Sequence, residues 1–190
     1  MGVLRYYKGF HTLIEAAAAT KLPVVIAGDG PQRSLLEALA RKLDAPVVFL
    51  GHVSDPEKMA LLRDCTALVL PSHLRSEAFG MVLVEAAMSS CPMISCEIGT
   101  GTSFVNQHGV TGLVVPPEDP SALARAMRAV HQAPALHAQF ADAARRRYQA
   151  LFSGDPLGRA YADIYHTAQH QKRCGDWWPH DGRWHCSRLA

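Results

Sequence analysis

The sequence lacks any apolar run approaching the roughly 20 residues that a membrane-spanning helix needs. Its opening, Met1-Gly2-Val3-Leu4-Arg5, holds no apolar core of a secretory leader. It has no block of Lys or Arg, and a formal net charge of +2 is too small to argue for nucleic acid. No Asp-x-Asp element occurs, so a divalent metal is not implied. Cysteine is sparse and odd in number, at Cys65, Cys91, Cys96, Cys174 and Cys186. The first three sit among apolar residues, where a free thiol behaves as a small hydrophobe. No disulfide framework follows, and the reducing cytoplasm is the expected compartment.

What remains is a chain of 190 residues, 48% hydrophobic and 19% charged, enough for one well-packed domain. Short solid apolar runs at Val24–Ala27, Val47–Leu50, Ala67–Leu70, Met93–Cys96 and Leu113–Val115 suit strands covered on both faces of a parallel sheet. Helical stripes lie between them. Gly30-Pro31 opens one with Leu35, Leu36, Leu39 and Leu43. Asp55-Pro56 opens another with Met59 and Leu62, and Asp119-Pro120 a third with Leu123, Met127 and Val130. In the last two Asp is the expected cap. Further helices are expected over Phe10–Thr20 and from about Gly80 to Ser90. The expected fold is α/β, a Rossmann-like parallel sheet flanked by helices, over residues 1–168, with a helical extension over 133–168. Residues 169–190 read as an irregular tail with three Trp. Its Cys174, His180, His185 and Cys186 match no familiar zinc spacing.

In such a fold, ligands gather at the carboxyl ends of the strands. The segment Leu70-Pro71-Ser72-His73-Leu74-Arg75-Ser76-Glu77-Ala78-Phe79-Gly80-Met81-Val82-Leu83-Val84-Glu85 leaves a strand, crosses a polar loop and opens a helix near Gly80. The N–H groups of Gly80, Met81 and Val82, with the positive end of the helix dipole, form an anion site. Glu77 before it and Glu85 just inside it can accept hydrogen bonds from sugar hydroxyls while the helix start takes phosphate. On the residues alone, a solvated cap at Glu77 and a surface Glu85 fit equally well. Gly28-Asp29-Gly30 also follows a strand, but Arg33 stands where a dinucleotide fingerprint has its third glycine. A tight turn bordering the cleft is the better reading.

The segment resembles the Glu-x7-Glu motif of glycosyltransferase family 4, retaining enzymes of the GT-B fold. Further matching stretches are Tyr7-Lys8-Gly9-Phe10, Ala27-Gly28-Asp29-Gly30-Pro31, Phe49-Leu50-Gly51-His52-Val53 and Gly109-Val110-Thr111-Gly112-Leu113-Val114-Val115-Pro116-Pro117. Together they run from about Gly2 to His166, and the chain resembles the C-terminal half of the GT-B fold. The resemblance implies binding of a nucleotide-diphospho-sugar, which is a substrate; no cofactor is implied. Glu85 would hold the ribose hydroxyls. Glu77 would contact the sugar and stabilise charge at its anomeric carbon. The backbone of Phe79, Gly80 and Met81, with Val82, would meet the sugar and distal phosphate. Lys8 would bind the diphosphate, and Gly51-His52-Val53 would line the base pocket. Gly28 and Gly30 would border the cleft. The wording of Ile98–Asn106 resembles bacterial polysaccharide mannosyl- and rhamnosyltransferases, which favours GDP-mannose or a related donor over a UDP-sugar.

Two departures stand out. The family's Gly-Arg-Leu before the Lys-Gly pair reads Gly2-Val3-Leu4 here, and Val3 cannot bond phosphate. A lost charge-assisted bond costs about 1.5–3 kcal/mol, and Arg5, on the same face of an extended chain, is placed to compensate. The family's N-terminal acceptor domain is also not in this sequence. The helix bearing Leu157, Tyr161, Ile164 and Tyr165 would then expose an apolar face, to be met by a partner, by self-association or by folding back. Peripheral contact with a membrane is left open. The alternative is a non-catalytic nucleotide-sugar-binding module or truncated remnant. A sugar-nucleotide epimerase or a phosphorylase on the same architecture is a third reading.

Overall fold

Short strands alternate with helices, and every strand pairing is parallel. The computed structural model describes the backbone through Arg173 and side chains through Gln169. After a 3-10 turn at Tyr6–Lys8 come α1 (Phe10–Thr20), β1 (Val24–Ala27), α2 (Arg33–Lys42), β2 (Val47–Gly51) and α3 (Asp55–Asp64). Then follow β3 (Leu68–Leu70), α4 (Met81–Met88), β4 (Met93–Cys96), α5 (Thr102–Val105), β5 (Gly112–Val115), α6 (Pro120–Gln132) and α7 (Pro134–Arg147). A π-helical turn at Tyr148–Phe152 precedes α8 (Gly154–Arg173). The arrangement is the expected α/β one, parallel strands flanked by helices.

The strands fall into two groups, β1 with β2, and β3-β4-β5 with β4 in the middle. Val24 lies opposite Val47, Leu68 opposite Met93, and Met93 opposite Gly112. All of β4 is buried, as a strand with neighbours on both edges and helices on its faces must be. β1 and β2 depart from the expected double cover, because Val25, Val48 and Leu50 are exposed. Leu13 and Ile14 of α1 and Leu36 of α2 share a core with Val24 and Ile26 on one face. On the other side α3 packs on α4, which leaves alternate residues of these two strands open.

The core joins Leu4, Phe10, Ile14, Ile26, Ile94, Leu123, Met127, Val130 and Phe140. Each large side chain so buried contributes about 1.5–3 kcal/mol. On α2, Leu36 is buried but Leu35 is exposed, since one residue is a rotation of about 100° away from the core-facing stripe. Asp119 caps α6 as expected, accepting from the Ala122 N–H at 2.8 Å. At α3 the cap is Ser54 and not Asp55. Ser54 and Glu57 form a reciprocal capping box, and Asp55 becomes the first helical residue. The loop after β4 is tied to the sheet by the buried Asn106, whose Nδ2 donates to Ser95 Oγ at 2.9 Å and to the Leu113 carbonyl at 3.1 Å.

The chain divides into a unit of residues 1–149 and a second that begins at Ala150. α7 belongs to the first, where Phe140 and Ala144 are buried and the helix packs on α4 and α6. The expected end of regular structure at 168 moves to Arg173. No Gly or Pro interrupts Thr167–Arg173, so α8 continues. Leu157, Tyr161, Ile164 and Tyr165 of α8 are exposed. No described helix is long and apolar enough to cross a membrane. Cys174, His180, His185 and Cys186 lie outside the described residues.

Candidate active site

The first part of the site is an ion pair between two loops far apart in sequence. Lys8, the last residue of the 3-10 turn, places Nζ 2.5 Å from Glu77 Oε2, and both side chains are mostly buried. Ser72 Oγ donates to the same carboxylate oxygen at 3.1 Å. A partly desolvated pair of this kind is held by short charge-assisted bonds, and removing either partner strands a charge.

Local structure brings these groups together. Gly9 has φ +66° and approaches the Pro71 carbonyl so closely that a Cβ would lie 2.0 Å from it. That approach lets the His73 N–H donate to the Tyr7 carbonyl at 3.0 Å, clamping the loop after β3 to the 3-10 turn. The His73 ring is buried, with edge contacts to Tyr6 and His11, and burial, more than any neighbouring charge, lowers its pKa and favours the neutral ring. From the other side, Thr100 Oγ1 donates to the Glu77 carbonyl at 2.9 Å and Gly101 N–H to that of Ala78 at 2.9 Å. Gly101 also makes room for Phe79, since a Cβ there would sit 2.6 Å from Phe79 Cδ2.

Gly80 caps α4 in the left-handed conformation, φ 74° and ψ 63°, with no side-chain cap. The Leu83 N–H returns to the Gly80 carbonyl at 2.8 Å. The N–H groups of Met81 and Val82 are thereby the open donors of the helix start. Met81 is exposed, Phe79 and Val82 half-buried. Glu85, one turn on, lies on the half-buried side, where Lys58 Nζ of α3 sits 2.8 Å from Glu85 Oε1 and 3.0 Å from Asp55 Oδ1. The Glu85 carboxylate, and then Asp55, raises the pKa of Lys58.

Glu77 and Glu85 stand on either side of the start of α4, Glu77 in the loop before Met81 and Glu85 one turn inside the helix. Each carboxylate is paired with a lysine from another element, Lys8 and Lys58 respectively.

Gly28, Gly30 and Gly51 gather at the carboxyl ends of β1 and β2, and close backbone approach explains two of them. A Cβ on Gly28 would meet the Gly2 carbonyl oxygen at 1.9 Å, and one on Gly30 the Leu4 N at 2.7 Å. Gly51 has φ +74°, and a Cβ there would lie 3.1 Å from Arg33 Nη1. His52 is exposed and Val53 half-buried. Val3 and Arg5 are both exposed while Leu4 is buried, and the Arg5 N–H donates to the Val3 carbonyl at 2.9 Å, so a tight turn at Leu4 replaces the extended chain expected there. Sequence reasoning missed Lys58, Ser72 and Thr100. A basic residue one turn into α3 carries no local mark of an acidic partner 27 positions away.

Comparison with known proteins decides the family. The family model "Glycosyl transferases group 1" matches residues 1–147. The chain belongs to that family. Among curated relatives, it is 45% identical over 174 residues to "O-antigen chain mannosyltransferase C" of Escherichia coli, covering 90% of this chain and 47% of the relative. It is 52% identical over 154 residues to "D-rhamnosyltransferase WbpZ" of Pseudomonas aeruginosa, covering 80% of this chain and 40% of the relative. The chain thus spans less than half the length of these relatives. In structure, it resembles Anabaena Alr3699/HepE, solved in complex with UDP, with TM-score 0.80, 24% identity and coverage of 87% and 48%. The C-terminal domain of the group 1 glycosyltransferase LpcC of Francisella tularensis gives TM-score 0.71 and 23% identity, with 81% of this chain and 84% of that one covered.

Proposed function

We propose that residues 1–149 form the donor half of a glycosyltransferase, which binds a nucleoside-diphospho-sugar and directs its hexose to a saccharide or lipid-linked acceptor hydroxyl. The observation that carries this reading is the Lys8–Glu77 pair in the approach to the uncapped start of α4, with Glu85 one turn into that helix. A diphosphate draws Lys8 and the open N–H groups of Met81 and Val82, while sugar hydroxyls replace Lys8 as donors to Glu77. Glu85 takes the ribose hydroxyls, and Gly51, His52 and Val53 flank the base.

In the transfer, the bond from the anomeric carbon to the diphosphate oxygen breaks. The nucleoside diphosphate leaves with the electron pair. The acceptor oxygen bonds the same carbon, and its proton passes to the departing diphosphate oxygen. Negative charge grows on the diphosphate beside Lys8, and positive charge at the anomeric carbon beside Glu77. Groups fixed at those points favour the transition state over the ground state.

Retention of configuration and membership of family 4 rest on the Glu-x7-Glu resemblance. A GDP-mannose-like donor is favoured by the mannosyl- and rhamnosyltransferase relatives, with the UDP complex of the structural neighbour pointing to the alternative base. The length of the relatives supports an acceptor domain beyond the described residues. Titration calorimetry with GDP, UDP and their sugars tests the reading. Saturable binding that Glu85→Ala weakens at least tenfold is expected. No binding of any of them by this chain sinks it.

A second reading, a binding module without turnover, is favoured by Val3 in place of the family's arginine. It requires nucleotide binding with no release of nucleoside diphosphate when the acceptor half is added.

A further inference from the structure

Two thiols meet where α3 and α4 end, away from the end of α4 that bears Met81. Cys65 terminates α3, and Cys91 follows the turn after α4. Main-chain bonds fix both positions. The Cys65 N–H donates to the Leu61 carbonyl at 3.0 Å. The Cys91 N–H returns to the Ala86 carbonyl at 2.9 Å, past Ser90 in the left-handed conformation at φ +57°. Just beyond them the Leu68 N–H donates to the Pro92 carbonyl at 2.9 Å, and Leu68 lies opposite Met93. The two cysteines thus lead into neighbouring parallel strands, three and two residues ahead of that pair. Their sulfurs lie 3.4 Å apart.

Cysteine packs as a small hydrophobe, so proximity of two thiols is not enough by itself. Here their surroundings differ in the way a two-step oxidation requires. Cys65 is half-buried and Cys91 is buried. The hydrogen bond from Cys91 lowers the pKa of Cys65, while the same contact, and then burial, raises that of Cys91. Cys65 is the reachable sulfur with thiolate character, and Cys91 keeps its proton beside it. Cys96, buried in β4, serves as an internal control.

We propose that Cys65 and Cys91 form a reversible thiol–disulfide site, in which a hydroperoxide oxidises Cys65 and Cys91 is the resolving thiol. The Cys65 thiolate attacks one peroxide oxygen. A sulfur–oxygen bond forms, the oxygen–oxygen bond breaks, and the departing oxygen takes a proton from water. Cys65 is then a sulfenic acid. The Cys91 sulfur attacks the Cys65 sulfur, the sulfur–oxygen bond breaks, and the hydroxide leaves with the Cys91 proton as water. Two electrons have passed from the thiol pair to the peroxide, and a dithiol reductant returns them. The sulfurs need close only from 3.4 Å to the roughly 2.0 Å of a disulfide. The bond closes a loop that holds β3, Glu77 and all of α4. It also joins the far ends of two helices that Lys58 and Glu85 already link nearer their starts.

The test treats the full chain with hydrogen peroxide at neutral pH, blocks the remaining thiols and maps the peptides by mass. A cross-link between the Cys65 and Cys91 peptides is expected, with loss of two hydrogens and full reversal by dithiothreitol, while Cys96 stays free. In Cys91→Ala, dimedone should capture a sulfenic acid at Cys65. The bridged chain should melt about 5–10 °C above the reduced one, because the bond restricts the unfolded chain. Cys65→Ser should abolish both the cross-link and that rise. Thiols that stay free in excess peroxide overturn the proposal, as does a bridge to Cys174, to Cys186 or to a second chain. A sulfenic acid trapped at Cys91 in Cys65→Ser, with none at Cys65 in Cys91→Ala, overturns the assigned roles. A midpoint that does not rise means that the bond formed in an opened chain, and overturns the proposal as well. Nucleotide binding is no part of the readout, so the donor-site reading stands or falls separately.

Discussion

Lys58 on α3 and Glu85 on α4 meet at 2.8 Å and tie together the two helices that flank β3. Both are partly exposed, so the pair is worth less than its geometry suggests. A double-mutant cycle of Lys58→Met and Glu85→Gln, followed by denaturant unfolding, should give a coupling of about 0.5–1 kcal/mol. Additive effects would mean that the contact contributes nothing to the fold.

The Lys8–Glu77 pair is more secluded and should behave differently. Lys8→Met alone leaves a mostly buried carboxylate without its cation, and about 1–3 kcal/mol of stability should go with it. Adding Glu77→Gln should restore much of that loss. Nucleoside diphosphate affinity, in contrast, should fall in the single variant and stay low in the double. Recovery of affinity along with stability would show that Lys8 does not meet the ligand.

Gly9 and Gly109 separate backbone strain from collision. Both have positive φ, +66° and +73°, but a Cβ at Gly109 meets nothing within 4 Å, whereas at Gly9 it strikes the Pro71 carbonyl. Gly109→Ala should cost about 1 kcal/mol. Gly9→Ala should cost at least twice that and weaken nucleotide binding, because the clamp between the 3-10 turn and the loop after β3 has to open. Equal midpoints in thermal melts would contradict the close approach.

Cys65 and Cys91 lie with their sulfurs 3.4 Å apart, yet their thiols are not equivalent. The hydrogen bond from Cys91 lowers the pKa of Cys65, while the same contact and burial raise that of Cys91. Burial pushes Cys96 up to about 11. Iodoacetamide labelling at pH 8, mapped by peptide mass, should modify Cys65 well before Cys91 or Cys96. Prior reaction at Cys91 would reverse the assignment.

Most of the element order was legible because parallel strands and their covering helices write different periods. Val24–Ala27 and Met93–Cys96 fall as strands with the expected bounds, and Phe10–Thr20 as a helix. Leu35 and Asp55 were misplaced for local reasons, a rotation of one residue on α2 and a better cap one position earlier at α3. The open face at Val25, Val48 and Leu50 was not legible, since a run of apolar residues says nothing about which helix covers it. At the site, Glu77, Lys8 and Gly80 were found through a motif. The groups that hold them, Ser72, His73 and Thr100, act across long sequence separations and have no period to betray them.

The main chain at Glu77 and Ala78 hangs from Thr100 and Gly101, residues of a different loop. A substitution at Thr100 or Gly101 thus acts on an unchanged carboxylate by way of its own main chain. The Lys8–Glu77 contact is tuned from a loop that lends it no side chain.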